Sequence, residues 1–312
     1  MNKVGSKLLS LTLAISSIVL CSCSDSGSGN KRQEVFVSIP PLACIVKTIV
    51  GDKVKVSTMI PEGRSPHDYT PAPRQVALLQ NCKAYLTIGM PFEKQVIKSL
   101  FKDHPDRLIN ISKGIKRREI EHEHDHAHHV HTESCKHEDE DDDKDHLDPH
   151  IWLSPANDVI LTRNATAELC RLYPEYAAEF KTNGEALEKR FSGLQKGLEK
   201  LLASRKGEVF YVYHPAFGYF ADAFGLKQEA VETGGKSPSP KHLNELIAAA
   251  RKDKVKIIFV QPQFSQRCAD VIAKALDANV MPLDPLSDDL FDFYNKITAA
   301  LVEGATGKKA DE

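Results

Sequence analysis

Along this chain the order of apolar and polar residues switches repeatedly between the period of a strand and that of a helix. "EVFVSI" (34–39) is strand-like, and "PLACIVKTIVG" (41–51) reads as a helix with Pro41 near its start and Gly51 at its end. "KVKVSTMI" (53–60) alternates as a second strand, "APRQVALLQNC" (72–82) is helical, and "AYLTIG" (84–89) is a strand. "PFEKQVIKSLF" (91–101) is a helix and "RLINIS" (107–112) a strand. From Ser154 the pattern becomes helical, in "PANDVILTRNATAELCRLY" (155–173) and then over 174–206. In the second of these, Phe180, Leu187, Phe191, Leu194, Leu198 and Leu201 draw one apolar stripe, weakened slightly by Gly184 and Gly193. Strand-then-helix order resumes with "EVFYVYH" (208–214) and runs through strands at 226–232, 255–262 and 278–286 to a last helix over 289–304. Repeated β-then-α order predicts parallel sheets covered by helices. The chain is therefore expected to be α/β, with a lobe over 34–173, a stiff linking helix over 174–206 and a second lobe over 207–312.

The ends and the composition narrow the setting. Lys3 and Lys7 precede the apolar run "LLSLTLAISSIVL" (8–20), which falls short of the roughly 20 residues a membrane span needs. "LCSC" closes it and looks like a bacterial lipoprotein cleavage box. Residues 1–22 are then the signal peptide, Cys23 the lipidated residue, and 23–33 a polar tether to the membrane. Secretion with cleavage nearby is the simpler alternative, and either places the protein outside the cytoplasm. A formal net charge of −2 gives no reason to expect nucleic acid. None of the 7 cysteines forms a CxxC pair, and an oxidising compartment leaves both disulfides and buried thiols open.

Histidine dominates the candidate chemistry. His122, His124, His126, His128, His129, His131, His137 and His146 crowd a segment within 113–148 that is also dense in carboxylates and holds Cys135. The composition predicts a disordered loop that binds metal loosely, because ordering it costs roughly 1–2 kcal/mol per residue. It is either a scavenger that raises local metal concentration or a solvated tether with indiscriminate ligands. Other histidines are placed by the fold. His67 in "GRSPHDYTP", His150 in "LDPHIWLSP", His214 ending "FYVYH" and Asp284 ending "VMPLD" all fall at strand exits or in connecting loops. Ligands of parallel sheets bind beyond such strand ends, which can face one another across a two-lobed cleft. Imidazoles with a carboxylate suit Zn(II). Asp148 and Glu232 could orient a ligating imidazole, while Trp152, Phe217, Tyr219 and Phe220 either line the cleft or pack in the core.

"GRSPHDYTP", "DPHIWLSP", "YHPAFGYF" and "LDPL" together resemble the zinc- and manganese-receptor family of solute-binding proteins that feed ABC importers, over about residues 34–304. The resemblance implies two pseudo-symmetric lobes, each a mainly parallel sheet with flanking helices, joined by a long rigid helix and holding one metal between them. It maps the histidine ligands to His67, His150 and His214, and the fourth position to Asp284 or a water, since Pro66 stands where some zinc members have a glutamate. Manganese members usually carry a carboxylate where His214 stands, so three imidazoles favour zinc. The expected partners are a permease subunit with its cytoplasmic ATPase, the receptor acting as a monomer with Zn(II) as its transported ligand. No bond is made or broken. The alternatives are a manganese receptor, a surface adhesin, or a zinc hydrolase, the last needing a general base and lacking an HExxH motif.

Overall fold

The computed structural model describes residues 34–67, 69–102, 104–120, 147–232, 238–253, 255, 257–264 and 266–304. Cys23 and the histidine-rich run from His122 to His146 lie outside the described residues. The first lobe contains β1 (Glu34–Val37), α1 (Pro40–Val50), β2 (Lys55–Thr58), α2 (Pro73–Gln80), β3 (Ala84–Thr87), α3 (Pro91–Leu100) and β4 (Leu108–Asn110). Next come α4 (Pro155–Leu172) and α5 (Ala177–Leu201). The second lobe contains β5 (Val209–Val212), α6 (Gly218–Phe224), β6 (Lys227–Ala230), α7 (Pro240–Lys252), β7 (Ile257–Val260), α8 (Gln266–Leu276), β8 (Asn279–Pro282) and α9 (Leu290–Gly304). No helix among the described residues is long and apolar enough to cross a membrane.

Both sheets are parallel and share one topology, β2-β1-β3-β4 in the first and β6-β5-β7-β8 in the second. The sequence explains the order. Central strands are covered on both faces and read as unbroken apolar runs: "VFV" in β1, "AYL" in β3 and "IFV" in β7 are wholly or almost wholly buried. Edge strands β2 and β6 are half-exposed and correspondingly polar, while the edge strand β8, "NVMP", is half-exposed with only Asn279 polar. In each sheet the strand order reverses beside the first strand, β1 or β5, and a crevice opens there past the carboxyl ends.

The linking helix α5 packs as a hairpin against α4, the last α-helix before it. Pro174 opens a short 3-10 turn, so α5 begins at Ala177, later than the sequence pattern predicts. Gly184, which counts against a helix by propensity, is the close-approach point: a Cβ there would overlap the Thr166 side chain of α4. Phe180, Leu187, Phe191 and Leu198 are buried as the stripe predicts. Leu201 is not, at 59% exposed, because the chain tightens into a 3-10 turn after α5 and Leu202 takes the inward position. Each fully buried leucine or phenylalanine contributes roughly 1.5–3 kcal/mol, which is how a helix with this polar a surface is held between lobes.

Both ends of the charged loop expected over 113–148 belong to the fold, and 121–146 lie outside the described residues. Residues 113–120 and 147–148 are built into the fold, and Glu119 pairs with Leu147 in an antiparallel bridge. Arg117 reaches the carbonyl of Ile88 and the hydroxyl of Ser112, and Asn164 from α4 donates to the carbonyls of Ile111 and Lys113. Cys44, Cys82 and Cys170 are free thiols.

Candidate metal centre

Three loops bring their histidines to one point. His67 ends the segment after β2, its amide held by the Ser65 hydroxyl at 3.2 Å. His150 sits in a turn that Asp148 makes with its own side chain: Asp148 Oδ1 accepts from the His150 amide at 2.9 Å. Pro155 then starts α4 immediately after the turn. His214 leaves β5, and the wholly buried Gln261 clamps its backbone, accepting from the His214 amide at 3.1 Å and donating to its carbonyl at 2.7 Å.

The ring nitrogens converge. His67 Nε2 lies 3.0 Å from His214 Nε2, and His214 Nε2 lies 3.3 Å from His150 Nε2. One nitrogen from each of the three rings falls within 4.8 Å of the others. Nitrogens bound about 2.0–2.1 Å from a tetrahedral zinc stand about 3.3–3.4 Å apart, so this spacing is that of ligands around one ion. The far side of two rings fixes their tautomers. Asp148 Oδ1 accepts from His150 Nδ1 at 2.8 Å, and Glu232 Oε1 accepts from His214 Nδ1 at 2.6 Å. With the proton on Nδ1, each Nε2 lone pair points at the shared centre. Two such lone pairs face each other at 3.3 Å, and a cation between them, or a proton on His67 Nε2 directed at His214, offsets their repulsion.

Electrostatics agree with neutral ligands. His67 is pushed down to about 3 by burial of its ring nitrogens and by its neighbours His214 and His150, although its outer edge meets solvent. His214 is lowered by burial, against the pull of Glu232. Burial works to raise Asp148, but its hydrogen bonds to His150 and Arg118 hold it below the usual carboxylate range.

Asp284 is not part of the cluster. Its Oδ1 accepts from Gln263 Nε2 at 2.8 Å and from the Leu286 amide at 2.9 Å, an arrangement that shapes the loop after β8. Around the three rings the centre is lined by Ser65, Pro66, Trp152, Gln263, Phe264, Pro285 and Leu286, with a cavity of about 20 Å³, room for one ion or one water. Phe264 stacks on the His214 ring at 5.0 Å, and the Trp152 ring lies 5.3 Å from that of His150. Trp152 Nε1 donates to the Pro285 carbonyl at 2.7 Å. Of the aromatics singled out in the sequence, Trp152 alone lines the cavity. Phe217 and Phe220 stack on Phe293 and Tyr294 in the core, and the Tyr219 hydroxyl donates to the Asp148 carbonyl. Phe264 and Gln261 carry no sequence signal of their own. They follow β7, the partner of β5, and only the strand order shows that they meet His214.

A family model described as "ZnuA: Zinc-uptake complex component A periplasmic" matches residues 35–304. The chain is 26% identical over 284 residues to the "Zinc-binding lipoprotein AdcA" of Streptococcus pneumoniae serotype 4, covering 90% of this chain and 55% of that protein. It thus spans about half the length of the curated relatives of this kind that it matches. It is 29% identical over 283 residues to the "High-affinity zinc uptake system protein ZnuA" of Bacillus subtilis, covering 86% of this chain and 85% of that one. A crystal structure of a ZnuA deletion mutant with zinc bound superposes with a TM-score of 0.74 at 29% identity, over 90% of this chain and 100% of that one.

Proposed function

The chain belongs to the periplasmic zinc-uptake component A family, and on that premise we propose that it is an extracytoplasmic receptor capturing one Zn(II) between its lobes. It delivers the ion to an ABC permease driven by a cytoplasmic ATPase. The observation that carries this reading is the meeting of three imidazole nitrogens within 4.8 Å, two of their rings oriented by buried carboxylates. His67, His150 and His214 are the ligands. Gln263 and the Leu286 amide hold Asp284 by its Oδ1, so the fourth position falls either to a water or to the other oxygen of Asp284. Three neutral imidazoles favour zinc over the harder manganese ion.

A water-bearing zinc on three histidines also describes catalytic centres. The chamber favours binding instead. Beyond the three imidazoles its lining is proline, aromatic, leucine, serine and amide, with no carboxylate among the described residues set there as a general base. The reading extends to the ends of the chain and to its domains: Cys23 as the lipid anchor, lobes over 34–173 and 207–312, and the connector over 174–206. Direct competition between zinc and manganese for the purified protein tests the reading. Zinc retained one-to-one against excess manganese supports it, and displacement by manganese at comparable concentration overturns it.

A further inference from the structure

We propose that Arg118 is a positioning residue that holds Asp148, and through it the His150 ligand, in place and ties both to α6 of the opposite lobe, so that losing its guanidinium speeds zinc release. The inference rests on His150 being a ligand, as read above. Arg118 belongs to the first lobe, on the ordered stretch after β4, and its side chain is 14% exposed. Its Nη1 donates to Asp148 Oδ2 at 3.0 Å, and its Nε donates to Asp222 Oδ2 at 2.9 Å. Asp148 presents its other oxygen to the ring and the amide of His150. Asp222 lies on α6 of the second lobe. One guanidinium fork thus joins α6 through Asp148 to the metal-binding ring.

The backbone repeats the connection. Tyr219 of α6 accepts from the Arg118 amide at 3.1 Å and donates to the Asp148 carbonyl at 3.0 Å, while the Asp148 amide donates to the Arg118 carbonyl at 2.9 Å. Space for the fork exists because residue 218 is glycine: a Cβ there would overlap Arg118 Nη1 and crowd Asp148 Oδ2. Lysine cannot replace the fork, since an ammonium on a flexible stem does not hold two carboxylates in fixed directions. The two legs differ in weight. The Asp148 end is 1% exposed, whereas the Asp222 side chain is 58% exposed and its leg is screened by water.

Stopped-flow transfer of zinc from the full chain to a fluorescent chelator tests the proposal. Changes behind a metal ligand typically cost about 10–100-fold in affinity, and here the loss falls in the release rate. Arg118→Gln is expected to keep one-to-one binding and to release zinc about ten times faster or more. Arg118→Lys falls between it and the wild type, and Asp222→Asn, on the exposed leg, speeds release by less than about fivefold. The double variant Arg118→Gln/Asp222→Asn should release no faster than Arg118→Gln, because one guanidinium serves both carboxylates. A merely structural arginine would lower the melting temperature of the metal-free protein without this ordering of rates. Release from folded Arg118→Gln within about twofold of the wild type, or fully additive effects in the double variant, overturns the proposal. His150→Ala separates the two readings: it abolishes tight binding if His150 is a ligand, whereas tight binding by His150→Ala removes the ligand assignment and this proposal with it.

Discussion

Replacing Glu232 by glutamine tests how far the centre depends on groups that never touch the metal. Glu232 is 6% exposed, and its Oε1 lies 2.6 Å from His214 Nδ1. An ionised acceptor contributes about 1.5–3 kcal/mol in such a bond, against about 0.5–1.5 for a neutral one, so the amide loses roughly 1 kcal/mol at once. Glutamine can also turn its NH2 toward the ring. His214 must then carry its proton on Nε2, the atom that meets zinc, and the cost rises. The combined loss is about 1.4–2.7 kcal/mol, or roughly 10–100-fold in affinity. The pKa of His214 is already lowered, by burial first, with Glu232 pulling the other way. Without the carboxylate it falls further, so competition from protons cannot account for the weakening. The assay is zinc competition against a chromophoric chelator near neutral pH, with melting of the metal-free variant as a control on folding. An affinity within about twofold of the wild type, in a folded variant, would refute the role given to the carboxylate.

Two further perturbations bear on the same region. The His67 imidazole stands at about 3 in the fold against an ordinary 6.5. Above 6.5 folded and unfolded chains are both neutral there, and between 6.5 and about 3 the unfolded chain takes up a proton that the folded one refuses. Metal-free protein should therefore melt lower as pH falls through that window, and less steeply in His67→Ala; identical slopes would sink the explanation. Asp158 behaves oppositely. Burial raises it well above 3.8, against the Tyr294 hydrogen bond at 2.7 Å, and its Oδ1 finds no partner among the described residues. A raised pKa means that at neutral pH folding must hold a proton the unfolded chain has released, which costs stability. Asp158→Asn should consequently melt at or above the wild-type temperature at pH 7, and a loss beyond about 1 kcal/mol by denaturant titration would show that the carboxylate is ionised.

Much of this architecture is legible in residue order because parallel sheets write themselves plainly. β1, β3 and β7 are unbroken apolar runs, and the helices between them carry proline at their starts. Boundaries slip where burial outlasts hydrogen bonding. Ser38 and Ile39 are wholly buried yet lie past the end of β1, and so extend its apparent pattern. The three histidines stand out because each follows a strand or lies in a connecting loop beside prolines. Asp284 satisfies the same rule, but that Gln263 and the Leu286 amide hold its Oδ1 is not legible in residue order. Arg118 is hidden for another reason. It ends the basic stretch "KRR" (116–118) beside the acidic, histidine-rich segment, so only the ion pairs with Asp148 and Asp222 distinguish it from a solvated residue.

The central claim is that a pocket walled by folded structure, not the histidine-rich run that precedes His150 in the sequence, grips the ion. Zinc titration of two variants by calorimetry tests it most directly: one with alanine at His67, His150 and His214, the other lacking residues 121–146. The account predicts that tight one-to-one binding is lost in the first and kept in the second. Tight binding that survives the alanine changes and vanishes with the excised run would contradict it.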